Sequence, residues 1–274
     1  MFRAICASGI GKRPTHEDNF LLNGKTIDKE TQQKMPAVKM IQYQSVCFKK
    51  VNIIAVSDGM GGHNAGEIAS GFCVKKLATL EEKAQACTSL SEVVSLIQDE
   101  ISSINISICE DGEKYPELHG MGATLVMLVN YESENVILNI GDSRAYVLED
   151  MGIRQVSKDH TEGQRMLDLG ILTRKELDAF PAKKNLNRYF GYSGKGYRLQ
   201  ADVFPLSDLT TRVLLCSDGI SDVLNEANLS EYISSSEDSW GVTERMVREA
   251  CDFANADNAT AIIIEIRVAS KTRL

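Results

Sequence analysis

The stretch Val51-Asn52-Ile53-Ile54-Ala55-Val56-Ser57-Asp58-Gly59-Met60-Gly61-Gly62-His63 decides how the rest of the chain reads. Its first half is β-branched and apolar, as in a strand buried on both faces. It then stops on a carboxylate, followed by three glycines and a histidine. The same ending recurs. Val136-Ile137-Leu138-Asn139-Ile140-Gly141 runs into Asp142, and Arg212-Val213-Leu214-Leu215-Cys216-Ser217 runs into Asp218. Asp257 stands just ahead of Thr260-Ala261-Ile262-Ile263-Ile264-Glu265-Ile266. A carboxylate at the end of a buried strand is costly unless something neutralises it, and several at one end of a sheet repel one another. Hard divalent cations relieve both costs, because they prefer oxygen ligands. The pattern points to a multi-metal hydrolytic enzyme.

Outward from that strand, residues 2–8 and 18–22 read as strands. Residues 24–50 are polar and lysine-rich, with a weak strand signal at 39–48. From Ala65 the period changes to that of a helix, with Ile68, Ala69, Phe72, Cys73 and Leu77 on one face. Val93, Ile97, Ile101, Ile104 and Ile108 mark a second long helix. Strands at 123–130, 135–140 and 144–148 follow with short connections, which suit an antiparallel meander. Residues 158–198 are irregular, with short helices at 162–169 and 173–178. Their nine basic and five acidic side chains give a net +4 in an otherwise acidic chain. A strand at 212–216, helices at 225–234 and 243–254, and a strand at 259–268 complete the chain. Paired helices set apart from antiparallel strands predict an α+β fold.

The 274 residues carry no linker-like tract and only five prolines, so residues 1–274 read as a single domain. Hydrophobic content of 43% and charged content of 25% are those of a soluble globular protein. A net charge of −8 argues against a general nucleic-acid binder. The seven cysteines are scattered without a C-x-x-C pair, which suggests small buried hydrophobes in a reducing compartment rather than zinc ligands or disulfides. The start lacks the apolar run of a signal peptide, and the longest apolar run, at 123–129, is too short to span a membrane. A cytoplasmic location is the expectation. His16, His63, His119 and His160 form no H-E-x-x-H motif, and His119 and His160 read as structural. As a thiol nucleophile Cys6 fails by one position, since Arg13 stands seven residues on where a phosphate loop needs six.

Eight segments in order resemble the bacterial branch of the metal-dependent Ser/Thr phosphatases, the PPM (protein phosphatase 2C) family. They are Gly11-x-Arg13-x-x-His16-Glu17-Asp18, Ser57-Asp58-Gly59-Met60-Gly61-Gly62-His63, Gly120-Met121-Gly122-Ala123-Thr124-Leu125, Gly141-Asp142-Ser143-Arg144-Ala145-Tyr146, Asp159-His160-Thr161, Leu186-Asn187-Arg188-Tyr189-Phe190-Gly191, Leu215-Cys216-Ser217-Asp218-Gly219-Ile220-Ser221-Asp222 and Asp257-Asn258-Ala259-Thr260. The resemblance implies a four-layer αββα sandwich of two antiparallel sheets flanked by helix pairs, with residues 158–198 as a flap over the cleft.

Carried over by residue, Asp58 bridges two metals and the Gly59 carbonyl binds one. Asp218 and Asp257 complete the first metal's shell. Glu17 holds the second through water, with Asp18 and Asn258 one layer out, and Asp142 joins Asp218 in a third site. The ions are Mn²⁺ or Mg²⁺. Arg13 grips the phosphate, and a metal-activated water cleaves phosphoserine or phosphothreonine in proteins that a Ser/Thr kinase has modified. Animal relatives place a histidine acid directly after the Asp-Gly. Here Met60 stands there, so His63 is the nearest candidate and a metal-held water the alternative. A monomer is expected. The rivals are a non-catalytic binding module of the same fold, an enzyme dedicated to one phosphorylated regulator, and a thiol phosphatase.

Overall fold

Strands that are apolar on both faces need a packed layer on each side, and the computed structural model provides them. It describes residues 2–47, 49–61, 65–149, 152–192 and 197–266. The chain opens with β1 (Phe2–Gly9), β2 (Asn19–Leu22), α1 (Lys29–Val38), β3 (Met40–Cys47), β4 (Val51–Ser57) and the short β5 (Gly59–Met60). Two long helices follow, α2 (Ala65–Ala84) and α3 (Leu90–Lys114). Then come β6 (Gly122–Ala123), β7 (Leu125–Tyr131), β8 (Glu134–Ile140), β9 (Arg144–Glu149) and β10 (Gly152–Gln155). After α4 (Glu162–Asp168) and α5 (Arg174–Leu177), β11 (Asp202–Pro205) and β12 (Arg212–Cys216) lead to α6 (Asp218–Ser221). The last elements are α7 (Glu226–Ser234), α8 (Ser239–Asp252) and β13 (Ala259–Ile266).

The strands form two antiparallel sheets, ordered β10-β9-β12-β13-β1-β3 and β11-β8-β7-β4-β2, with β5 and β6 paired separately. Three apolar layers separate the elements. Ile54, Val56, Val126, Leu128, Ile262 and Ile264 fill the space between the sheets. Their neighbours one residue along turn the other way: Ile53, Ala55 and Met127 meet Leu77, Ile97 and Ile101 of α2 and α3, and Ile263 meets Leu229 and Ile233 of α7 and Met246 of α8. Alternation with both faces buried is why these strands read as unbroken apolar runs. Each Val, Leu, Ile or Met side chain among them, taken out of water, contributes about 1.5–3 kcal/mol. The result is the predicted αββα sandwich. Among the described residues no helix is long and apolar enough to cross a membrane.

The expected meander at 123–148 is corrected. β7 and β8 form a hairpin, but β9 leaves that sheet and pairs with β12 and β10 in the other. The chain switches sheets at Gly141, whose φ of +93° is glycine territory. Period-2 patterning cannot tell which sheet a strand joins. The lysine-rich segment also holds more than a weak strand. α1 was missed because Met35 is its one buried side chain and Pro36 lies inside it. Its start is fixed locally, since Asp28 caps the Thr31 N–H at 2.7 Å. β10 and β11 are short edge strands with mixed exposure, and they left little pattern to read.

Candidate metal centre

At one end the chain passes between the sheets through residues 10–18, from β1 to β2, and through residues 141–143, from β8 to β9. Asp58 ends β4, Asp218 follows β12, and Asp257 precedes β13. The crossings therefore carry Arg13, Glu17, Asp18 and Asp142 to where those strands deliver the other three carboxylates. Arg13, Glu17, Asp58, Gly59, Asp142, Asp218, Asp257 and Asn258 all line one cleft of about 420 Å³. Asp18 is fully buried. The predicted acid His63 lies outside the described residues, as does its neighbour Gly62.

Two close contacts explain the glycines. A Cβ on Gly59 would lie 2.0 Å from the Gly66 carbonyl oxygen and 2.8 Å from that of Glu17. One on Gly219 would lie 1.9 Å from the Asn258 carbonyl oxygen. Two uncharged residues stitch the loops together. Thr124 donates its N–H to the Asp58 carbonyl at 2.8 Å and accepts the Asp58 N–H on Oγ1 at 3.0 Å. The same oxygen lies 2.7 Å from Ser143 Oγ, so one threonine ties the Asp58 and Asp142 turns. Asn258 donates to the Ile10 and Thr15 carbonyls at 2.9 and 3.0 Å and accepts the Glu17 N–H at 2.7 Å. No sequence pattern marks Thr124, because a single buried threonine between two strands has no distinctive spacing.

Burial raises the pKa of several of these carboxyls, Glu17 among them. Burial pushes Asp142 up to about 7, with the Asp218 charge adding to it. Asp218 and Asp58 are raised by burial too, Asp58 well above the usual range, where the charges of Asp18 and Asp218 add to it. Burial likewise pushes Asp18 up to about 7, against the Thr260 and Ser217 hydroxyls. Ser217 Oγ donates to its Oδ2 at 2.8 Å, while Oδ1 is buried with no partner. Behind it His16, held down to about 4 by burial, sits between Ser8 Oγ and the Asp18 carbonyl, 3.0 Å from each.

These residues fit hard divalent ions. Every donor is oxygen, one buried carboxylate oxygen is unpartnered, and like charges this close coexist only if protons or cations lie between them. Among the described residues no three His, Cys, Asp or Glu side chains close around a single point. Bound ions would share carboxylates and take further oxygens from water. Arg13 lies at the mouth against Asp257, 2.5 Å away. Across the mouth Lys184 pairs with Asp222 and borders a second cleft of about 840 Å³ that shares Asp142 and Asp218. Only the positive balance of 158–198 hinted at Lys184 in the sequence.

A family profile described as protein phosphatase 2C matches residues 42–251. The chain belongs to the protein phosphatase 2C family. The serine/threonine phosphatase stp of Listeria welshimeri is 32% identical to it over 222 residues, covering 81% of this chain and 87% of that protein. It is a protein serine/threonine phosphatase of the bacterial PPM type. Among solved structures, Stp1 from Staphylococcus aureus matches at TM-score 0.78 and 25% identity, over 98% of this chain and 96% of that one. The catalytic domain of PstP, solved in complex with two manganese ions, shares the fold at TM-score 0.71 and 24% identity, over 97% of this chain and 99% of that one.

Proposed function

We propose that this phosphatase hydrolyses phosphoserine and phosphothreonine in proteins modified by a Ser/Thr kinase, and that it depends on Mn²⁺ or Mg²⁺. The observation that carries this is the convergence of carboxylates from both sheets on one cleft, where burial and neighbouring charges raise the pKa of Asp58. Asp58, Asp218 and Asp257 would hold one ion. Asp58, the Gly59 carbonyl and Glu17 would serve a second, and Asp142 with Asp218 a third. Asp18 and Asn258 support them from behind. When bound, such ions lower the pKa of water and offset charge on the phosphoryl group.

The rest falls to the chain. Arg13, already charged and at the mouth, would exchange Asp257 for two phosphoryl oxygens, the bidentate geometry a guanidinium prefers. Asn258 keeps the Arg13–Glu17 loop in register with Asp257. Residues 158–198 would act as a flap, part of the one domain read for 1–274, and present Lys184 to an anionic peptide. The proton for the leaving serine would come from His63 or a water held in the cleft. A thiol mechanism through Cys6 is disfavoured, because that thiol is fully buried and burial pushes its pKa well up. The test is hydrolysis of a phosphothreonine peptide with Mn²⁺, with Mg²⁺ and with excess chelator. The proposal expects turnover that chelator abolishes and iodoacetamide leaves intact; the reverse sensitivity would overturn it.

A further inference from the structure

His160, buried under the turn that carries Asp142, holds that turn from both sides. The Gly141 N–H donates to His160 Nδ1 at 3.0 Å, and the His160 main-chain N–H donates to the Gly141 carbonyl at 3.0 Å. An accepting Nδ1 places the ring hydrogen on Nε2. Nε2 then donates to Asp202 Oδ2 at 3.1 Å. The other oxygen of Asp202 accepts from Arg188 Nη1 at 2.5 Å. Asp202 is itself fixed, because β11 pairs it with Asn139 of β8. Asn139 Nδ2 in turn donates to the Lys158 carbonyl at 3.0 Å. A ring with both nitrogens engaged cannot rotate, so its grip on Gly141 has one direction.

Asn139 Nδ2 also donates to the Gly141 carbonyl, at 3.3 Å, so the His160 ring is the side chain that holds the Gly141 N–H. Gly141 sits at φ +93° at the switch between sheets, and a glycine there has several conformations within reach. A small rotation at Gly141 re-aims Asp142 relative to Asp218. We propose that His160 is the positioning residue for Asp142: its imidazole, locked by Asp202 and Arg188, holds the Gly141 turn so that Asp142 and Asp218 meet at one divalent-cation site. This rests on Asp142 being a metal ligand. The chemistry is that of an outer hydrogen bond that orients a ligand, here acting through the ligand's backbone. His160 also fastens the base of segment 158–198 to the site, since its carbonyl accepts the Asn187 N–H at 2.9 Å.

The test is calorimetric titration of Mn²⁺ into the chelator-stripped 274-residue chain, with thermal melting alongside. Asp142→Asn should lose the weakest Mn²⁺ equivalent. His160→Ala should lose the same equivalent or weaken it by about 10–100-fold, leaving the others unchanged. His160→Asn, whose Oδ1 falls where Nδ1 stood, should recover most of it. His160→Gln, which places its polar atoms at the Nε2 end, should not. If His160→Ala does not fold, the Asn and Gln variants decide the matter. A purely structural histidine would lower the melting temperature and leave Mn²⁺ affinity as it was. Loss in Asp142→Asn with wild-type titration in His160→Ala, or equal binding by the Asn and Gln variants, overturns the positioning role alone. Full Mn²⁺ stoichiometry in Asp142→Asn overturns the ligand reading and the positioning role with it.

Discussion

Asp58 and Asp218 line the same cleft, and burial raises the pKa of both carboxyls, with the charge of Asp218 adding to the rise at Asp58. Asp218→Asn separates the two functions of that carboxyl. Turnover should fall on the order of 10²-fold or more, the scale of lost electrostatic stabilisation at a reacting centre. The melting temperature of the chelated protein should hold or rise, because a repelling neighbour is gone. A peptide assay and a thermal melt check the two halves. Glu81 poses the same problem without a use for it. It is 1% exposed at the inner end of α2, and neither carboxylate oxygen has a hydrogen-bond partner, although Lys49 lies 3.5 Å off. Burial raises its pKa above the ordinary 4.5. The folded state therefore keeps a proton that the unfolded chain releases. That contribution is whole below about pH 4.5 and is lost as pH rises. Glu81→Gln should stabilise the protein at pH 8 by about 1 kcal/mol, the scale of an unmatched buried polar group, and should change little at pH 4. Melting curves at both pH values decide it.

At the scale of elements, the centre is made by two turns that change sheet and by helices that start where strands stop. α6 begins on Asp218 itself, and its Gly219 packs against the chain just ahead of β13. Gly219→Ala would drive a methyl group into the Asn258 carbonyl. Overpacking of this kind costs about 1–3 kcal/mol. Because Asn258 also carries the Glu17 N–H, Mn²⁺ affinity should fall together with stability; urea unfolding and a Mn²⁺ titration of the same variant measure both. α1 stands beside this centre. Gln32 Nε2 donates to the His16 carbonyl at 2.8 Å, so the lysine-rich segment supports the loop that bears Arg13 and Glu17.

For the whole molecule, metal and pH act on stability through the same groups. Asp18 and Asp142 are pushed up to about 7 from an ordinary 3.8. Between those values the metal-free folded protein binds protons that the unfolded chain has released. Its stability therefore falls as pH rises through that window. Cations displace the protons and bind the folded state alone, which adds stability by mass action. The expected outcome is a melting temperature in chelator that declines from pH 5 to pH 7.5, and a Mn²⁺-induced rise that is larger at pH 7.5. Differential scanning at the two pH values, with Mn²⁺ and with chelator, measures it. An equal rise at both would mean that cation binding does not displace those protons.

Much of this was legible in the chain alone. Unbroken apolar runs gave the strands, because residues buried on both faces leave no polar alternation. The aspartates at their ends gave the centre, because an acid at the end of a buried strand needs a neutraliser wherever its partners come from. Eight ordered motifs led to the family. Partnership between distant residues was not legible. Which sheet β9 joins, that Thr124 binds Asp58 to Ser143, and that His160 meets Asp202 across 42 positions are facts of three-dimensional placement. α1 stayed hidden because one buried side chain makes no stripe. Sequence records what each residue needs from its surroundings, while the packing of the two sheets decides which residue supplies it, because hydrogen bonds and charge pairs form between neighbours in space and leave no spacing along the chain.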